Sequence, residues 1–414
     1  MERPQPPSRT IPTRSLIIIA GSALVIVIAS LAYLWPSLRW LHPAAHPVVL
    51  HGIPRPAAYA SYDVVAESES DAYVLQRLPA SSSANLYRTQ DAGATWHLIG
   101  LPASTSGVAV VVTSLPGGKL FLRSFGFANG AQQFYIGDGT TWTSIMLPDQ
   151  GSGSLQMVDD RLGFYVVTQT SGTPSVQEFL IYRTLDGGRS WDQRLALSAG
   201  HPDGGGLRLS DDNRFVGFSD AMHAWLVVVP PSWGIVCGTT SPTDPTQQLM
   251  ASRDGGVTSI HVSLPKLPQF STELGTPFFP RAGGAGFLTV TVHTYVGQCP
   301  PVGITDAYTT LDDGATWLGP ERVPASIFDS PDGIVWWASD GRQVFRSNNQ
   351  GQSWKTIKPE LPAAAVTLVE LSAVDAQTAW SVWSGNNQSG PPRQALLRTT
   401  DTGIHWSEVR LPGG

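Results

Sequence analysis

Six acidic or amide side chains stand in one recurring frame. Asp91, Asp186, Asp254, Asp312 and Asp401 each follow a Ser or Thr by two positions and precede a Gly by two, and Asn349 takes the same place in a further copy. A hydroxyl residue, or His405 in the last copy, comes four residues after the acid. A Trp closes the frame at Trp96, Trp191, Trp317, Trp354 and Trp406, with Ser259 in its place in the Asp254 copy. Arg88, Arg183, Arg346 and Arg398 stand three residues before the acid in four of the copies. Carboxylates can do acid–base and nucleophilic work at glycosidic bonds, and arginines can clamp a carboxylate or phosphate. Catalysis, however, needs one such set in one place. A residue multiplied by a repeat serves whatever the repeat builds.

What this frame, the box, builds is a hairpin turn. Asp and Ser/Thr oxygens bond backbone N–H groups inside the loop, and Gly takes the positive φ that closes it. The Trp opens the next strand with enough area to pack across neighbouring strands. Upstream runs a second phrase: VDAQTAWSVW (374–383), SDAMHAWLVV (219–228) and VDDRLGFYVV (158–167) share an Asp, a short turn, a small residue, an aromatic and an apolar strand. Each unit therefore reads strand, turn, strand, loop, strand, box turn, strand. Units fit at about 60–102, 107–148, 152–197, 212–264, 277–324, 325–362 and 366–412. In the second the box is shortened to YIGDGTTW (135–142), which keeps Gly139, Thr141 and Trp142. Four antiparallel strands repeated at roughly fifty residues predict an all-β, seven-bladed propeller, or six blades if the shortened unit is not one.

The composition agrees with strands and tight turns. Charged residues make up only 14%, beside 42 Gly, 33 Pro and 14 Trp. A net charge of −6 and only four lysines (Lys119, Lys266, Lys355, Lys358) argue against a nucleic-acid partner. The N-terminus is different. Ser15 to Leu38 carries no charged residue and is long enough to cross a bilayer. Arg3, Arg9 and Arg14 precede it against the single acid Glu2, which keeps the N-terminus cytoplasmic and exports the rest. Tyr33, Trp35 and Trp40 would sit at the outer interface, and a cleaved signal peptide would have a shorter apolar region, of about 7–15 residues. The expected organisation is a cytoplasmic tail (1–14), a transmembrane anchor (15–38), a juxtamembrane linker (39–59) and the propeller (60–414), in a single-pass plasma-membrane protein.

The combined phrase VDAQTAWSVW…LLRTTDTGIHW resembles the Asp-box (bacterial neuraminidase repeat) superfamily of propellers. That superfamily includes sialidases, sortilin-type receptors and photosystem II assembly/stability factor-like proteins, and the phrase is most similar to the last group. The resemblance runs over nearly all of 60–412, with Ala224 and Ala379 where the family usually has Gly. A sialidase of this kind needs three arginines on the substrate carboxylate, a Tyr–Glu nucleophile pair and an acid Asp. The nearest match to the stretch carrying the first arginine is HGIPRP (51–56), where Gly52 holds the arginine position and Arg55 is out of register.

Propeller geometry puts the box turns on one face, and the loops between second and third strands, with the links between blades, on the other. The long insertions fall on that second face: 230–248, 293–306, 384–394 and the linkers 198–215 and 265–284. Long loops on a rigid scaffold are where binding concentrates. Cys237 and Cys299 lie in equivalent loops of the fourth and fifth units, and export would let them form a disulfide, stabilising by about 4 kcal/mol in the chain-entropy model. Trp233 and Tyr295 beside them are the candidate partner contacts. HPDGGG (201–206) reads as a flexible loop. His42 and His46 are spaced for a metal but interrupted by Pro43 and Pro47, so neither a metal site nor a cofactor is expected. The function expected is a membrane-anchored, extracytoplasmic, non-catalytic scaffold for another membrane or exported protein. The alternative is a glycan-binding or glycoside-hydrolysing, sialidase-like ring.

Overall fold

The computed structural model describes residues 61–78, 83–106, 108–125, 132–148, 153–170, 177–209, 212–229, 247–266, 272–280, 284–294, 302–361, 366–385 and 394–410. The chain divides into a unit at 1–43 and a compact unit at 44–414. The expected tail, anchor and linker lie outside the described residues, among which no helix is long and apolar enough to cross a membrane.

Seven four-stranded antiparallel sheets follow one another along the chain, at 61–99, 109–144, 154–197, 212–262, 272–322, 326–357 and 367–409. They are the blades of a propeller, numbered 1 to 7 in that order. The shortened second unit is a full blade, which settles the count at seven. Each sheet pairs its strands in sequence order, so among the described residues no strand from one end of the chain completes a blade at the other.

The period-2 geometry of a strand explains why the blades cannot stand alone. In the second strand of blade 4 (Ala224–Val229), Ala224, Leu226 and Val228 pack with Phe164, Phe179 and Ile181 of blade 3. Trp225 and Val227 point the other way, to Leu288, Val290 and Tyr308 of blade 5. Every seam between neighbouring blades is a cluster of this kind. The ring closes in the same manner, with Val64, Ala72 and Val74 of blade 1 against Trp380, Val382 and Leu396 of blade 7.

Polar side chains near the axis add a second tie. Gln156, on the innermost strand of blade 3, donates to the Phe218 carbonyl at 2.9 Å and accepts its N–H at 3.0 Å, reaching blade 4. Gln247 accepts the Leu274 N–H at 2.7 Å between blades 4 and 5. Asp329 accepts the Ala373 N–H at 2.8 Å between blades 6 and 7, and Ser372 accepts the Ala66 N–H at 3.0 Å between blades 7 and 1.

The links between blades hold more structure than the sequence suggests. HPDGGG is not a flexible loop: residues 203–208 form a two-stranded hairpin whose Leu207 is buried in the seam between blades 3 and 4. Likewise the innermost strand of blade 5 begins at Thr272, inside the segment expected to be a linker. Its second and third strands run to Thr294 and from Val302, so 293–294 and 302–306 of the expected loop 293–306 are paired strand.

Candidate functional site

The box turns repeat in atomic detail. In blade 3, Thr184 Oγ1 donates to Asp186 Oδ1 at 2.8 Å and accepts the Gly188 N–H at 2.8 Å. Asp186 Oδ1 also accepts the N–H groups of Arg189 and Ser190, and Oδ2 accepts the Ser190 hydroxyl at 2.6 Å. Donors converging on the charged form lower a carboxyl pKa. The Ser190 hydroxyl and N–H take Asp186 to about 2, and the Thr95 hydroxyl and N–H do the same for Asp91. Asp254, Asp312 and Asp401 make equivalent bonds to Thr258, Thr316 and His405. Asn349 bonds Ser353.

The residue after each acid is left-handed: φ is 61° at Ala92, 55° at Asp313, 55° at Gln350 and 69° at Thr402, with Gly in blades 3 and 4. Its N–H donates to a carbonyl in the first hairpin of the same blade, Ser70, Arg161, Met222, Gly284, Ile334 or Gln377, at 2.8–3.1 Å. The first hairpin and the box turn are thereby locked together on one face.

The remaining box residues reach between blades. Trp96 Nε1 donates to the Arg410 carbonyl at 2.8 Å, Trp142 Nε1 to Gly100 at 2.6 Å and Trp191 Nε1 to Met146 at 2.6 Å, each on the blade before. Three of the arginines go forward. Arg398 pairs with Glu69 of blade 1 at 2.6 Å, Arg183 donates to the Ala221 carbonyl of blade 4 at 3.5 Å, and Arg346 donates to the Ala376 carbonyl of blade 7. Arg88 stays in its blade, forked onto Asp71 at 2.9 and 2.7 Å. Arg88, Arg346 and Arg398 each lie over the aromatic ring opposite them, Tyr73, Trp337 and Trp380. These arginines do not converge on a shared ligand position.

What departs from the repeat is more informative. Beside the shortened turn of blade 2 opens a cleft of about 380 Å³, lined there by Lys119, Thr141 and Thr143, and on blade 3 by Asp160, Arg161 and Arg189. Lys119 faces Asp138 at 3.5 Å, while the Asp186 oxygens at its wall are occupied by their own turn. Three cations around one opening can receive an anionic group.

Blade 4 has Ser259 where a box Trp is expected. The 203–208 hairpin fills that place: Ser259 N–H donates to the Gly205 carbonyl at 2.6 Å, and a Cβ on Gly206 would lie 2.1 Å from the Ser259 oxygen.

Two buried or half-buried polar clusters were not foreseen. At the seam of blades 7 and 1, fully buried Asp63 pairs with Arg77 at 2.5 Å, and burial, with the Asp63 charge beside it, pushes the Glu370 carboxyl well above its usual range. At the seam of blades 4 and 5, Asp220, His223 and Asp313 meet. Burial opposes ionisation of Asp220, but the hydrogen bonds from His223 and from the Met222 and His223 N–H groups prevail and hold its carboxyl low. The signals available for the first cluster were acids inside apolar strands, Asp63 in SYDVVA and Glu370 in TLVELSA.

The sequence-expected contacts Trp233 and Tyr295 and the cysteines Cys237 and Cys299 all lie outside the described residues.

No protein-family model matches this chain, and no curated protein matches it in sequence. Solved structures do match. YCF48 bound to D1 peptide is similar at 13% identity and a TM-score of 0.45, over 86% of this chain and 99% of that one. YCF48 from Cyanidioschyzon merolae is similar at 13% and 0.46, over 85% and 99%. An ulvan lyase, a polysaccharide lyase, is similar at 10% and 0.47, over 89% and 96%. The likeness is one of fold.

Proposed function

We propose that the chain is a binding and assembly scaffold: a membrane-anchored, extracytoplasmic propeller whose ring is a rigid platform rather than a catalytic device. The observation that carries this reading is where its repeated polar groups are used. The box aspartates are engaged within their turns, and the arginines before them in holding hairpins and blades together. The apolar, charge-free run at 15–38 supports the anchor and the exported location. The partner on this reading is another membrane or exported protein, held by the long loops expected within 230–248 and 293–306.

The test is affinity capture from mildly solubilised membranes of the host, with the intact chain and with a chain lacking 230–246 and 295–301, the parts of those loops outside the described strands. A defined partner recovered by the first and lost by the second is the expected result. No partner with either chain contradicts it.

The cleft between blades 2 and 3 favours a second reading. Lys119, Arg161 and Arg189 around its mouth suit a carboxylated or sulfated sugar. Saturable binding of an acidic oligosaccharide that is lost on replacing those three residues with Ala would move the assignment to a glycan-binding ring, and turnover of that sugar would make it an enzyme.

A further inference from the structure

In a ring of repeats the fold asks for the same residue type at the same place in each blade. Residues that break the pattern and meet in space are therefore the ones the fold leaves unexplained. Blades 4 and 5 break it together. Three residues after the first-hairpin Asp stand Leu162 in blade 3, Val335 in blade 6 and Thr378 in blade 7, but His223 in blade 4. At the left-handed position of the box turn stand Ala92, Gly187, Gly255, Gln350 and Thr402, but Asp313 in blade 5. A side chain at this position reaches back to the preceding blade, as Gln350 does in donating to the Thr310 carbonyl at 3.0 Å. Asp313 thereby arrives at His223.

His223 Nδ1 lies 2.7 Å from Asp220 Oδ2 and 3.1 Å from Asp313 Oδ2, and the three donor atoms fall within 4.8 Å of one another. A ring nitrogen presents one proton or one lone pair. Two carboxylates aimed at the same nitrogen cannot both be served well by it, whereas a cation seated among the three satisfies all of them.

We propose that Asp220, His223 and Asp313 form a site for a divalent transition-metal ion, Zn²⁺ by the chemistry of its donors, clasping blades 4 and 5 on the box face. One imidazole with two carboxylates suits Zn²⁺, whereas Ca²⁺ takes about six to eight oxygens. Metal–ligand bonds of about 2.0–2.2 Å place tetrahedral donors roughly 3.3 Å apart, so the 2.7 and 3.1 Å separations of His223 Nδ1 from the two carboxylates need to widen by roughly 0.6 and 0.2 Å. Binding replaces the Nδ1 proton by the metal and releases that proton to solvent. Asp220 is already oriented, because its Oδ1 accepts the N–H groups of Met222 and His223 at 2.7 and 2.9 Å. Three protein donors leave a fourth position for water or for a donor from a partner.

The test uses the full chain, stripped with a chelator and titrated with Zn²⁺ by calorimetry, and with Co²⁺ to read the visible absorption of a nitrogen-ligated site. Asp313→Asn is the first variant, since Asn is among the residues that tolerate a left-handed backbone; His223→Gln is the second. The expected result is one Zn²⁺ per chain, a higher Tm with Zn²⁺ but not Ca²⁺, and binding weakened at least about 100-fold in both variants with the Co²⁺ spectrum lost. No saturable binding by the unaltered chain overturns the proposal. Undiminished binding by either folded variant, which would place the metal elsewhere, overturns it as well.

Discussion

Gly93 and Gly117 are both left-handed, at φ 88° and 81°, but they differ in what surrounds them. A Cβ on Gly93 would lie 2.0 Å from Val409 Cγ1 of the neighbouring blade, whereas one on Gly117 would meet nothing within 4 Å. Gly93→Ala should therefore cost about 2–4 kcal/mol, overpacking added to backbone strain, and Gly117→Ala only about 1 kcal/mol. Urea denaturation of the two variants checks the difference, and equal losses would mean that the box glycine is there for its backbone angle alone. Titration gives a second prediction. Asp91 and Asp186 are lowered to about 2 in the fold, so the stability they confer is present above the unfolded value of 3.8 and is lost as pH falls through 2. Glu67 runs the other way. Burial raises it from 4.5 to about 7, so its contribution is full below 4.5 and is lost as pH rises through 7. Glu67→Gln should flatten the fall in stability between pH 4.5 and 7; a Tm–pH profile unchanged by the substitution would contradict this assignment. The turn chemistry of Asp and Ser/Thr was legible in residue type and spacing alone. The meeting of His223 with Asp313 was not, because the two are ninety positions apart and belong to different blades.

At the scale of elements, the apolar alternation of each strand was readable, but the polar ties between innermost strands were not. Gln156 sits in a four-residue strand, SLQM, and nothing local says that it reaches Phe218 in the next blade. Gln156→Ala leaves both backbone groups of Phe218 without that partner and should cost about 2–4 kcal/mol. Gln156→Glu should keep the bond from the Phe218 N–H and lose only the one to its carbonyl, an intermediate loss in the same denaturation assay. The hairpin at 203–208 is instructive for what sequence reading can connect. The missing Trp at Ser259 and the run of glycines at 204–206 look like two unrelated irregularities along the chain. In space they are one: the glycines let a backbone hairpin press against Val257 and Ser259, where no Cβ would fit. A gap in one repeat and an insertion before it belong together when the repeat packs on its predecessor.

At the scale of the whole molecule, seven seams of equal kind make the ring, including the one between the last blade and the first. Since that closure is made by side chains and not by an exchanged strand, the position of the chain ends should matter little. A circular permutant opened between blades 1 and 2, with residue 410 joined to 61 by a linker of about nine residues, matches the nine-residue link from Ile99 to Ala109. It should fold with a Tm within a few degrees of the parent, as read by calorimetry, and failure to fold would show that the natural seam differs from the rest. The number of blades was legible because each carries its own turn. The anchor expected at 15–38 and the loops expected around Cys237 and Cys299 lie outside the described residues. The division of labour between repeat and loops is tested most directly by measuring Tm and partner capture side by side. One chain would carry Asp91→Asn, Asp186→Asn and Asp401→Asn; another would lack 230–246 and 295–301, which spares Gln247 and the strands of blades 4 and 5. The expected result is a lower Tm with partner capture retained in the first, and capture lost with Tm preserved in the second. Loss of the partner at unchanged Tm in the first chain would show that the repeated carboxylates serve function rather than fold.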